Sequence, residues 1–462
     1  MANNIYFLNT LPLVLIFLLA GIFSMDKLML MIVFCTPLSL TLSDLFNRRL
    51  SPDFSFPTEP LLFGMLLLFV FKMIQGYRVD KKVMKHPITI AIIINLGWIT
   101  LTTLTSTMPV ISIKFLLARL WFIIPCYFIA IELFKDTENM KRFMWLYIIP
   151  LTFVIFYTIY THSQYNFEER PANWAVKPFY NDHTAYGAML AMFIPVLIGF
   201  LYLKKDSKRV KTFTFILLLI FLLATILSYT RAAWVGLAAA IGMLILLFFK
   251  VKFRTLFISL LTAGGIFIIF QESIVSVLEK NRQDSSNNFT DHIKSISNIS
   301  TDASNKERIN RWNCAFRMFR AKPIFGFGPG TYSFQYAPFQ VTEEKTIIST
   351  DRGDGGNAHS EYFGPLAETG FMGTAIFVAI TLLVISTAMR LFYTIVDREL
   401  KLLTAVILLG LITYFVHGCL NNFLDTDKAS VPFWGFIAML TVIDIYHAKK
   451  EEVVTSLKPA AE

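Results

Sequence analysis

The sequence predicts an all-α membrane protein that crosses the bilayer many times. Of its 462 residues, 55% are hydrophobic and only 16% are charged, a composition that cannot solvate an ordinary globular protein of this length. Apolar runs of about 20 residues recur along nearly the whole chain, and that is the length a helix needs to cross a bilayer. Because lipid offers no hydrogen-bond partners to the backbone, these runs must be helical and open sheets are excluded.

We predict 12 or 13 membrane-spanning helices in four segments. They are an N-terminal transmembrane bundle of about ten spans at 1–274, a large hydrophilic loop at 275–360, C-terminal transmembrane helices at 361–447 and a polar tail at 448–462. The first apolar run lacks a basic n-region and a small-residue cleavage site, so we expect it to be retained. The predicted spans cover residues 6–24, 27–45, 60–75, 86–107, 111–133, 141–162, 183–203, 211–229, 232–249, 255–274, 368–392, 400–420 and 430–447.

Short basic loops predict the orientation of the bundle. Lys and Arg cluster near residues 78–85, 204–211 and 250–254, which are therefore expected to face the cytoplasm. Counting spans from these anchors places 163–182, 230–232, the large loop and 421–429 on the extracytoplasmic face. The loop is basic too, but loops longer than about 60 residues are translocated largely regardless of charge. Since these segments account for most of the net charge of +10, nucleic-acid binding is not expected, and four scattered cysteines predict no disulfide framework.

Arg231 lies in SYTRAAW, which joins two long apolar runs with almost no linker. This places a guanidinium at the membrane surface between two helix ends, where a charge is costly without a partner. An interfacial arginine that extends to water is a common structural alternative. The functional interpretation is an anion clamp, because the planar guanidinium donates two parallel hydrogen bonds to a phosphate.

The stretch ERINRWNCAFRMFRAKP in the large loop predicts an amphipathic helix that ends at Pro323. We expect this helix to lie on the membrane or on the bundle. Its predicted apolar stripe consists of Ile309, Trp312, Phe316 and Phe319.

Three arginines of this helix differ in their position relative to that stripe. At 100° per residue, Arg308 falls on its edge, Arg311 flanks it and Arg317 points toward solvent. Arg308 is therefore the first candidate for an anion site. The structural alternative is a basic face that rests on anionic lipid head groups.

His359 lies in GGNAHSEYFGPLAETG, which ends the loop and opens the next helix. The positive end of a helix dipole disfavours imidazolium, so His359 is expected to stay neutral and able to accept a proton. A lone histidine is as often structural. The glycine-rich FGFGPGTY before it lacks the spacing and the terminal lysine of a P-loop, so tight turns explain it better than a nucleotide site.

Other polar residues complete the predicted site. The segment RPANWAVKPFYNDHTAYG contributes Arg170, Lys177, Asn181 and His183, and we add Glu361, Trp312 and Arg311 as substrate-binding residues. Asp425 and Asp427 are a possible pair of metal ligands. Lys428 follows them directly, however, and short turns between spans commonly contain Asp. No metal or other cofactor is therefore expected, and arginines are expected to take the place of a metal.

The motifs SYTRAAWVGL, ERINRWNCAF with GFGPG, and NAHSEYFGPLAETGFMG resemble, in their order, the bacterial O-antigen ligase and O-antigen polymerase family. YNDHTAYGAMLAMFIP is similar to the family's stretch before the central helices, so the resemblance covers about residues 165–445. It implies a GT-C-type membrane glycosyltransferase that needs no metal. The family's helix-end arginine falls on Arg231, its loop arginine on Arg308 or Arg311, and its histidine on His359.

The resemblance also implies partners and a location. The donor would be a glycan linked to undecaprenyl diphosphate, and the acceptor of a ligase would be a sugar hydroxyl of the lipid A–core oligosaccharide. The protein would lie among the lipids of the bacterial inner membrane with its site facing the periplasm. His359 would act as base, and Arg231 and Arg308 would stabilise the departing diphosphate, with inversion at the anomeric carbon.

Two alternatives remain at this point. A polymerase of the same family would share every motif and differ in its acceptor, the end of a second polyprenyl-linked repeat. A flippase or transporter is the more distant alternative, and it predicts charged or interrupted helices near the bilayer midplane and matched halves. Lys114 and Arg119 lie within a predicted span, but matched halves are not evident.

Overall fold

The computed structural model describes residues 24–46, 54–203, 207–262, 303–346, 349 and 356–448. Within these ranges the chain is almost entirely helical, and nine helices are long and apolar enough to cross a membrane. The predicted all-α polytopic fold is therefore confirmed. The predicted span 6–24, the second half of 255–274, the loop up to residue 302 and the tail lie outside the described residues. The total of 12 or 13 spans thus stays a prediction.

The helices are numbered here in chain order, and their bounds follow in two lists. The N-terminal part contains α1 Met25–Cys35, α2 Leu42–Phe46, α3 Thr58–Ile74, α4 Lys81–Met84, α5 Pro87–Leu104, α6 Pro109–Ile123, α7 Ala130–Phe134, α8 Thr137–Ser163, α9 Glu169–Ala175, α10 His183–Leu201, α11 Lys208–Leu227, α12 Arg231–Phe248 and α13 Phe253–Thr262. The remainder contains α14 Ala303–Ala321, α15 Tyr332–Gln335, α16 Phe363–Thr394, α17 Arg398–Leu420 and α18 Asp427–Val442. A π-helical turn at Ile124–Ile129 joins α6 to α7, and another at Ile443–Ala448 extends α18.

Three helices form the centre of the bundle. The membrane-spanning windows of α10, α17 and α18 are 78%, 83% and 83% buried, whereas those of α11 and α12 are only 33% buried. The outer helices therefore present apolar side chains to lipid, which rewards an apolar outer surface as well as an apolar core. The central position of α10 and α17 matters because α10 begins and α17 ends at the candidate site.

The prediction of one span at residues 27–45 is wrong. Helix α1 is only 11 residues long, and it is followed by a 3-10 turn at Thr36–Leu38 and a strand at Leu40–Thr41 that pairs with Ser55–Phe56. The buried Lys428 ammonium donates hydrogen bonds of 2.7 Å to the carbonyl oxygens of Thr36 and Ser39. A charge on another helix thus satisfies the backbone where the helix breaks, and hydropathy alone cannot reveal such a partner.

Helix ends meet on two faces of the bundle. The site face holds the junctions at 105–108, 164–182, 228–230, 356–362 and 421–426. Its members contact one another, as when the Tyr229 hydroxyl donates to the Phe167 carbonyl at 2.8 Å. The opposite face carries the short basic loops, where the Tyr393 hydroxyl donates to the Val251 carbonyl at 3.0 Å. The grouping of loops that was expected from the span count is thus found in the structure.

The glycine-rich segment packs tightly against the start of α16. Gly326, Gly328 and Gly330 have φ of 66°, 117° and 73°, so the expectation of tight glycine turns is confirmed. Helix α16 begins at Phe363, earlier than the predicted span at 368, and is kinked at Gly370, whose φ is 70°. The Phe371 N–H, which the kink turns outward, donates to the Pro323 carbonyl at 3.0 Å. The kink thus separates a short entry segment, residues 363–369, from the membrane-spanning part.

Candidate active site

The candidate active site lies on the site face, where α10, α12 and α16 begin and α17 ends. Helix α14 of the large loop covers this region and packs against α16. Three helix N-termini and a cationic helix therefore converge, and both features favour an anionic ligand.

His359 is held just before α16 by its own backbone. Its φ is 48°, in the left-handed region that few side chains other than glycine adopt, and its N–H donates to the Asn357 side-chain oxygen at 3.1 Å. Ser360 then caps the helix, because its hydroxyl accepts from the N–H groups of Tyr362 and Phe363 at 3.2 and 3.3 Å. The predicted location of His359 at a helix start is confirmed. An unusual conformation of this kind is a common feature of functional residues.

The charge state of His359 follows from its surroundings. Burial lowers its pKa to about 4, and the nearby guanidinium groups of Arg308 and Arg311 add to this effect, while Asp182 and Glu307 oppose it. The expectation of a neutral imidazole is thus confirmed, but burial and the two arginines are its main causes. The same interactions show that two other chain segments, α14 and the residue before α10, contribute charges near the ring.

Arg311 is the most firmly held of the loop arginines. It is 4% exposed, its Nε donates to Glu307 Oε1 at 2.6 Å, and its guanidinium lies 4.0 Å from the centre of the Tyr336 ring. Gly356 approaches so closely that a Cβ at that position would overlap the guanidinium. Its Nη1 is buried and has no hydrogen-bond partner within the described ranges. The side chain of Arg311 is therefore held in one position, and its Nη1 donor is available for a further hydrogen bond.

Arg308 lies one turn earlier on α14 and is half-buried. Its charge acts on His359 and also on His417, near the end of α17. The guanidinium of Arg308 is therefore close enough to lower the ease of protonation of both histidines. Unlike Arg311, it remains partly accessible from the site face.

The buried face of α14 differs from the predicted one. Glu307, Asn310, Arg311, Cys314 and Met318 are buried, whereas Phe316 of the predicted apolar stripe is 39% exposed. The expectation that Arg317 points to solvent is wrong, because it is half-buried and forms an ion pair of 2.5 Å with Glu344. The polar face is the buried one because segment 332–349 folds over it and supplies hydrogen-bond partners.

Arg231 is the first residue of α12 and is half-buried at the site face. The corner before it is fixed by Tyr229, whose φ is 50°, and by the Thr230 hydroxyl, which donates to the His183 carbonyl at 3.1 Å. The backbone of the next residue, Ala232, lies beside the His417 ring. The start of α12 therefore lies next to the His417 ring, on which the charge of Arg308 also acts.

Two residues of this cluster escaped the sequence prediction. Asp182 caps α10 by accepting from the Thr184 N–H at 2.7 Å, and its Oδ1 lies 3.2 Å from His183 Nδ1. Although burial opposes ionisation, these hydrogen bonds lower the pKa of Asp182 to about 2. His417 is 1% exposed, and its Nε2 lies 3.1 Å from the Asn421 amide nitrogen. An aspartate before a helix and a histidine inside an apolar span were the available signals.

The other predicted residues lie at different distances from this centre. Arg170, Lys177 and Asn181 are exposed on the segment between α8 and α10. Trp312 packs against Phe363, with ring centres 5.3 Å apart. His183 completes the pair with Asp182 described above.

Glu361 turns away from the arginines. Its Oε1 accepts hydrogen bonds of 2.8 Å from the Tyr414 hydroxyl and from the N–H groups of Phe423 and Leu424. Its own N–H donates to the Gly418 carbonyl at 2.8 Å. Glu361 thus ties the start of α16 to the turn between α17 and α18.

The two aspartates considered for metal binding have different partners. Asp425 forms an ion pair of 2.7 Å with Arg119, while the buried Asp427 accepts a hydrogen bond from the Ser39 hydroxyl. Across the described ranges, no group of three or more His, Cys, Asp or Glu side chains is arranged to hold a metal ion. The two carboxylates therefore do not converge on one point.

Comparison with known proteins bears on the same part of the chain. A family model described as O-antigen ligase matches residues 216–378, which include Arg231, α14 and His359. The resemblance to the O-antigen ligase family is therefore confirmed over that stretch. Together with the apolar helices, this match indicates a multi-pass membrane protein that is similar to O-antigen ligases over residues 216–378.

One curated relative is an uncharacterized protein of Haemophilus influenzae (strain ATCC 51907 / DSM 11121 / KW20 / Rd). It is 24% identical to this chain over 275 residues, which make up 55% of this chain. The match spans 61% of the relative, about three fifths of its length.

Proposed function

We propose that this protein is an O-antigen ligase of the bacterial inner membrane. It transfers a glycan from undecaprenyl diphosphate to a sugar hydroxyl of the lipid A–core oligosaccharide, on the periplasmic side. A polymerase that uses a second polyprenyl-linked repeat as acceptor is the alternative, and the same family match favours it equally. Neither reaction calls for a metal or another cofactor in this proposal.

One observation carries the proposal. A neutral histidine with an unusual backbone conformation lies among Arg308, Arg311 and Asp182, at the point where three helices begin. Glycosyl transfer from a diphosphate needs a group that takes a proton and a group that stabilises a leaving anion. Both kinds of group are next to each other in this cluster.

The reaction is a direct displacement. The acceptor oxygen attacks the anomeric carbon and forms the new glycosidic bond, while the bond between that carbon and the diphosphate oxygen breaks. The hydroxyl proton goes to the His359 ring, and the electron pair of the broken bond stays on the diphosphate. Attack opposite the leaving group inverts the anomeric configuration.

The two accessible arginines bind the diphosphate. The charge of Arg308 acts on His417, and Arg231 directly precedes Ala232, whose backbone hydrogen-bonds the same ring. Both arginines are half-buried, so a phosphate can reach them. Each well-placed donor to a developing charge contributes a few kcal/mol in the transition state. Arg311 is already bound to Glu307 and stacked on Tyr336, so its role is to position the loop helix and to add positive potential.

Donor binding also adjusts the base. Without a donor, burial and the two arginines keep the pKa of His359 at about 4, which makes the ring a weak base. A bound diphosphate brings negative charge that offsets the arginines and raises this pKa toward neutrality. His359 therefore becomes an effective base only when the donor is bound. Without the donor, the ring has little tendency to take up a proton.

Reconstitution tests the proposal. The purified protein in proteoliposomes is supplied with an undecaprenyl-diphosphate glycan and either lipid A–core or a second lipid-linked repeat, and the lipid that gains sugar is followed. His359→Gln should lower transfer at least 100-fold, because the general base is lost while a polar side chain of roughly similar volume remains. Arg320→Gln, an exposed change on α14, should leave transfer unchanged.

The outcomes separate the possibilities. Sugar gained by lipid A–core identifies a ligase, and sugar gained by the second repeat identifies a polymerase. Movement of the donor across the membrane without transfer would overturn both and indicate a transporter. Full transfer by His359→Gln would refute the assigned base.

A further inference from the structure

A separate pocket lies beside the α16 entry segment. It is lined by residues of α5, α6, α16, α18 and the turn before α18, and its space, including the part open to solvent, is about 490 Å³. Its polar lining comprises Asn95, Arg119, Glu361, Glu368 and Trp434. Neither Arg231, Arg308 nor His359 lines it, so it is separate from the cluster described above.

The two carboxylates of the pocket are fixed by the backbone. All hydrogen bonds to Glu361 from Tyr414, Phe423 and Leu424 end on Oε1. Glu368 likewise uses Oε1 to accept from the Tyr332 N–H at 3.0 Å. The hydrogen bonds to Glu361 therefore leave its second oxygen for the pocket, while Glu368 accepts from the Gly330 N–H as well as from Tyr332. Burial raises the pKa of Glu361 to about 7, with a further contribution from Asp425, so this group can donate as well as accept a hydrogen bond.

Trp434 supplies an unused donor. The residue is only 2% exposed, and its indole Nε1 has no hydrogen-bond partner in the part of the chain that the structure describes. A buried N–H without a partner costs about 1–3 kcal/mol. Trp434 is one of the lining residues, so this unpartnered N–H belongs to the wall of the pocket.

The remaining walls are flat and apolar. Phe115 and Phe377 contribute rings, and the Arg119 guanidinium is held 4.8 Å above the Phe115 ring and paired with Asp425 at 2.7 Å. Fixed donors and acceptors along one side and apolar surface along the other fit a molecule with hydroxyls at its rim and C–H groups on its faces. A sugar ring has this pattern.

The pocket is poorly suited to a diphosphate. The one arginine among its lining residues is already paired with Asp425, so it is not available for the two-pronged contact that a phosphate would need. The donor diphosphate and the occupant of this pocket are therefore kept apart, with His359 and Glu361, two residues apart, facing different partners. In an inverting displacement the acceptor must approach from the side opposite the leaving group.

We infer that this pocket is the subsite for an uncharged sugar residue of the acceptor, held by Glu361, Glu368, Asn95 and the Trp434 indole N–H. That the sugar belongs to the acceptor rests on the proposed function. The binding of a sugar in this pocket can be tested without catalysis.

The binding test uses His359→Gln protein in lipid nanodiscs, which cannot turn over. Saturation-transfer NMR with glucose, galactose and N-acetylglucosamine as probes should detect at least one of them. Trp434→Phe and Asn95→Leu should each weaken that signal, and Trp145→Phe should not, since Trp145 packs on Phe200 and Phe213 away from the pocket. No signal with any probe, an equal signal in Trp434→Phe, or displacement of the sugar by inorganic pyrophosphate would overturn the inference.

The kinetic test uses the active protein. Trp434→Phe should raise the KM for the acceptor about tenfold, the equivalent of one lost hydrogen bond, and change the KM for the donor less than twofold. A changed KM for the donor alone would refute the subsite. If Trp434→Phe folds poorly, Asn95→Leu serves as the second variant. Asn95→Leu is expected to fold because a membrane-spanning helix tolerates an added apolar side chain. If sugar binds but no transfer occurs in the unmodified protein, the proposed function fails and the sugar site stands.

Discussion

Removing the charge of Arg308 should raise the pKa of His359. The Arg308 guanidinium is the second cause of the low pKa, after burial, and Arg311 is the third. Arg308→Gln keeps a polar side chain of similar reach while it removes the charge. If the arginine acts on the ring as proposed, the imidazole becomes easier to protonate.

The size of the effect follows from the pKa of about 4. Compared with an ordinary histidine, charging this ring costs about 3 kcal/mol more. A unit charge roughly 7 Å away, at an effective dielectric constant of about 40, contributes about 1 kcal/mol of this. We therefore expect the pKa of His359 in Arg308→Gln to rise to about 5. It should stay below 6.5 because burial and Arg311 remain.

Histidine NMR measures this change directly. Protein with ¹⁵N-labelled histidine is titrated between pH 3.5 and 8, and the His359 signal is identified by its loss in His359→Gln. Arg320→Gln removes an equal charge from the exposed end of the same helix and should leave the pKa near 4. A His359 pKa near 6.5 in the unmodified protein, or an unchanged pKa in Arg308→Gln, would refute the electrostatic coupling.

Three further changes have expected outcomes. Arg231→Lys should lower turnover at least tenfold in the transfer assay, because an ammonium cannot replace a two-pronged contact to phosphate; turnover within twofold of normal would argue against a diphosphate contact. EDTA should leave transfer intact, and a loss that Mg²⁺ restores would require a metal after all. Gly370→Ala should lower thermal stability by roughly 1–3 kcal/mol, because φ is 70° and a Cβ there would overlap the Ile324 carbonyl. Gly242→Ala on α12 has open space and should be neutral or slightly stabilising, so equal melting temperatures for the two variants would contradict this account.

Hydropathy predicted most spans well because the bilayer imposes the same requirement on every spanning segment. The side chains that face lipid must be apolar, and the backbone hydrogen bonds must be formed within the segment. It failed at residues 27–45, where the buried Lys428 replaces those backbone bonds at a break near Thr36. The composition of that stretch is apolar enough for a span. Only the partner on α18 shows that the helix ends early.

The buried face of α14 was not predictable for a related reason. Periodicity identifies an apolar stripe, and Trp312 of that stripe does pack on Phe363. The polar face is buried more deeply because Tyr332 and Tyr336, more than 20 residues later, cover Arg311 by a hydrogen bond to its carbonyl and by ring contact. Such partners are fixed by the path of the loop, and no local pattern specifies that path.

The corner at Arg231 and the helix start at His359 could be placed from sequence because both sit where an apolar run stops. His417 could not be assigned in the same way. It lies inside an apolar run, and its neighbours come from α12 and α14. The site residues at helix ends can therefore be predicted from the sequence. Those brought together from three distant segments cannot.

The short segment from His359 to Glu361 divides the charges of the site face. The partners of His359 are two arginines and two acids that surround a neutral ring, whereas those of Glu361 are a tyrosine hydroxyl and backbone N–H groups beside a pocket with a second carboxylate. A displacement needs an anion to leave on one side of the reacting carbon and a hydroxyl to arrive on the other. The left-handed backbone of His359 lies where the two environments meet, and glycine there would keep this conformation while losing the base. In the proposed reaction, this segment would therefore join the arginine cluster that binds the diphosphate to the pocket that binds the acceptor sugar.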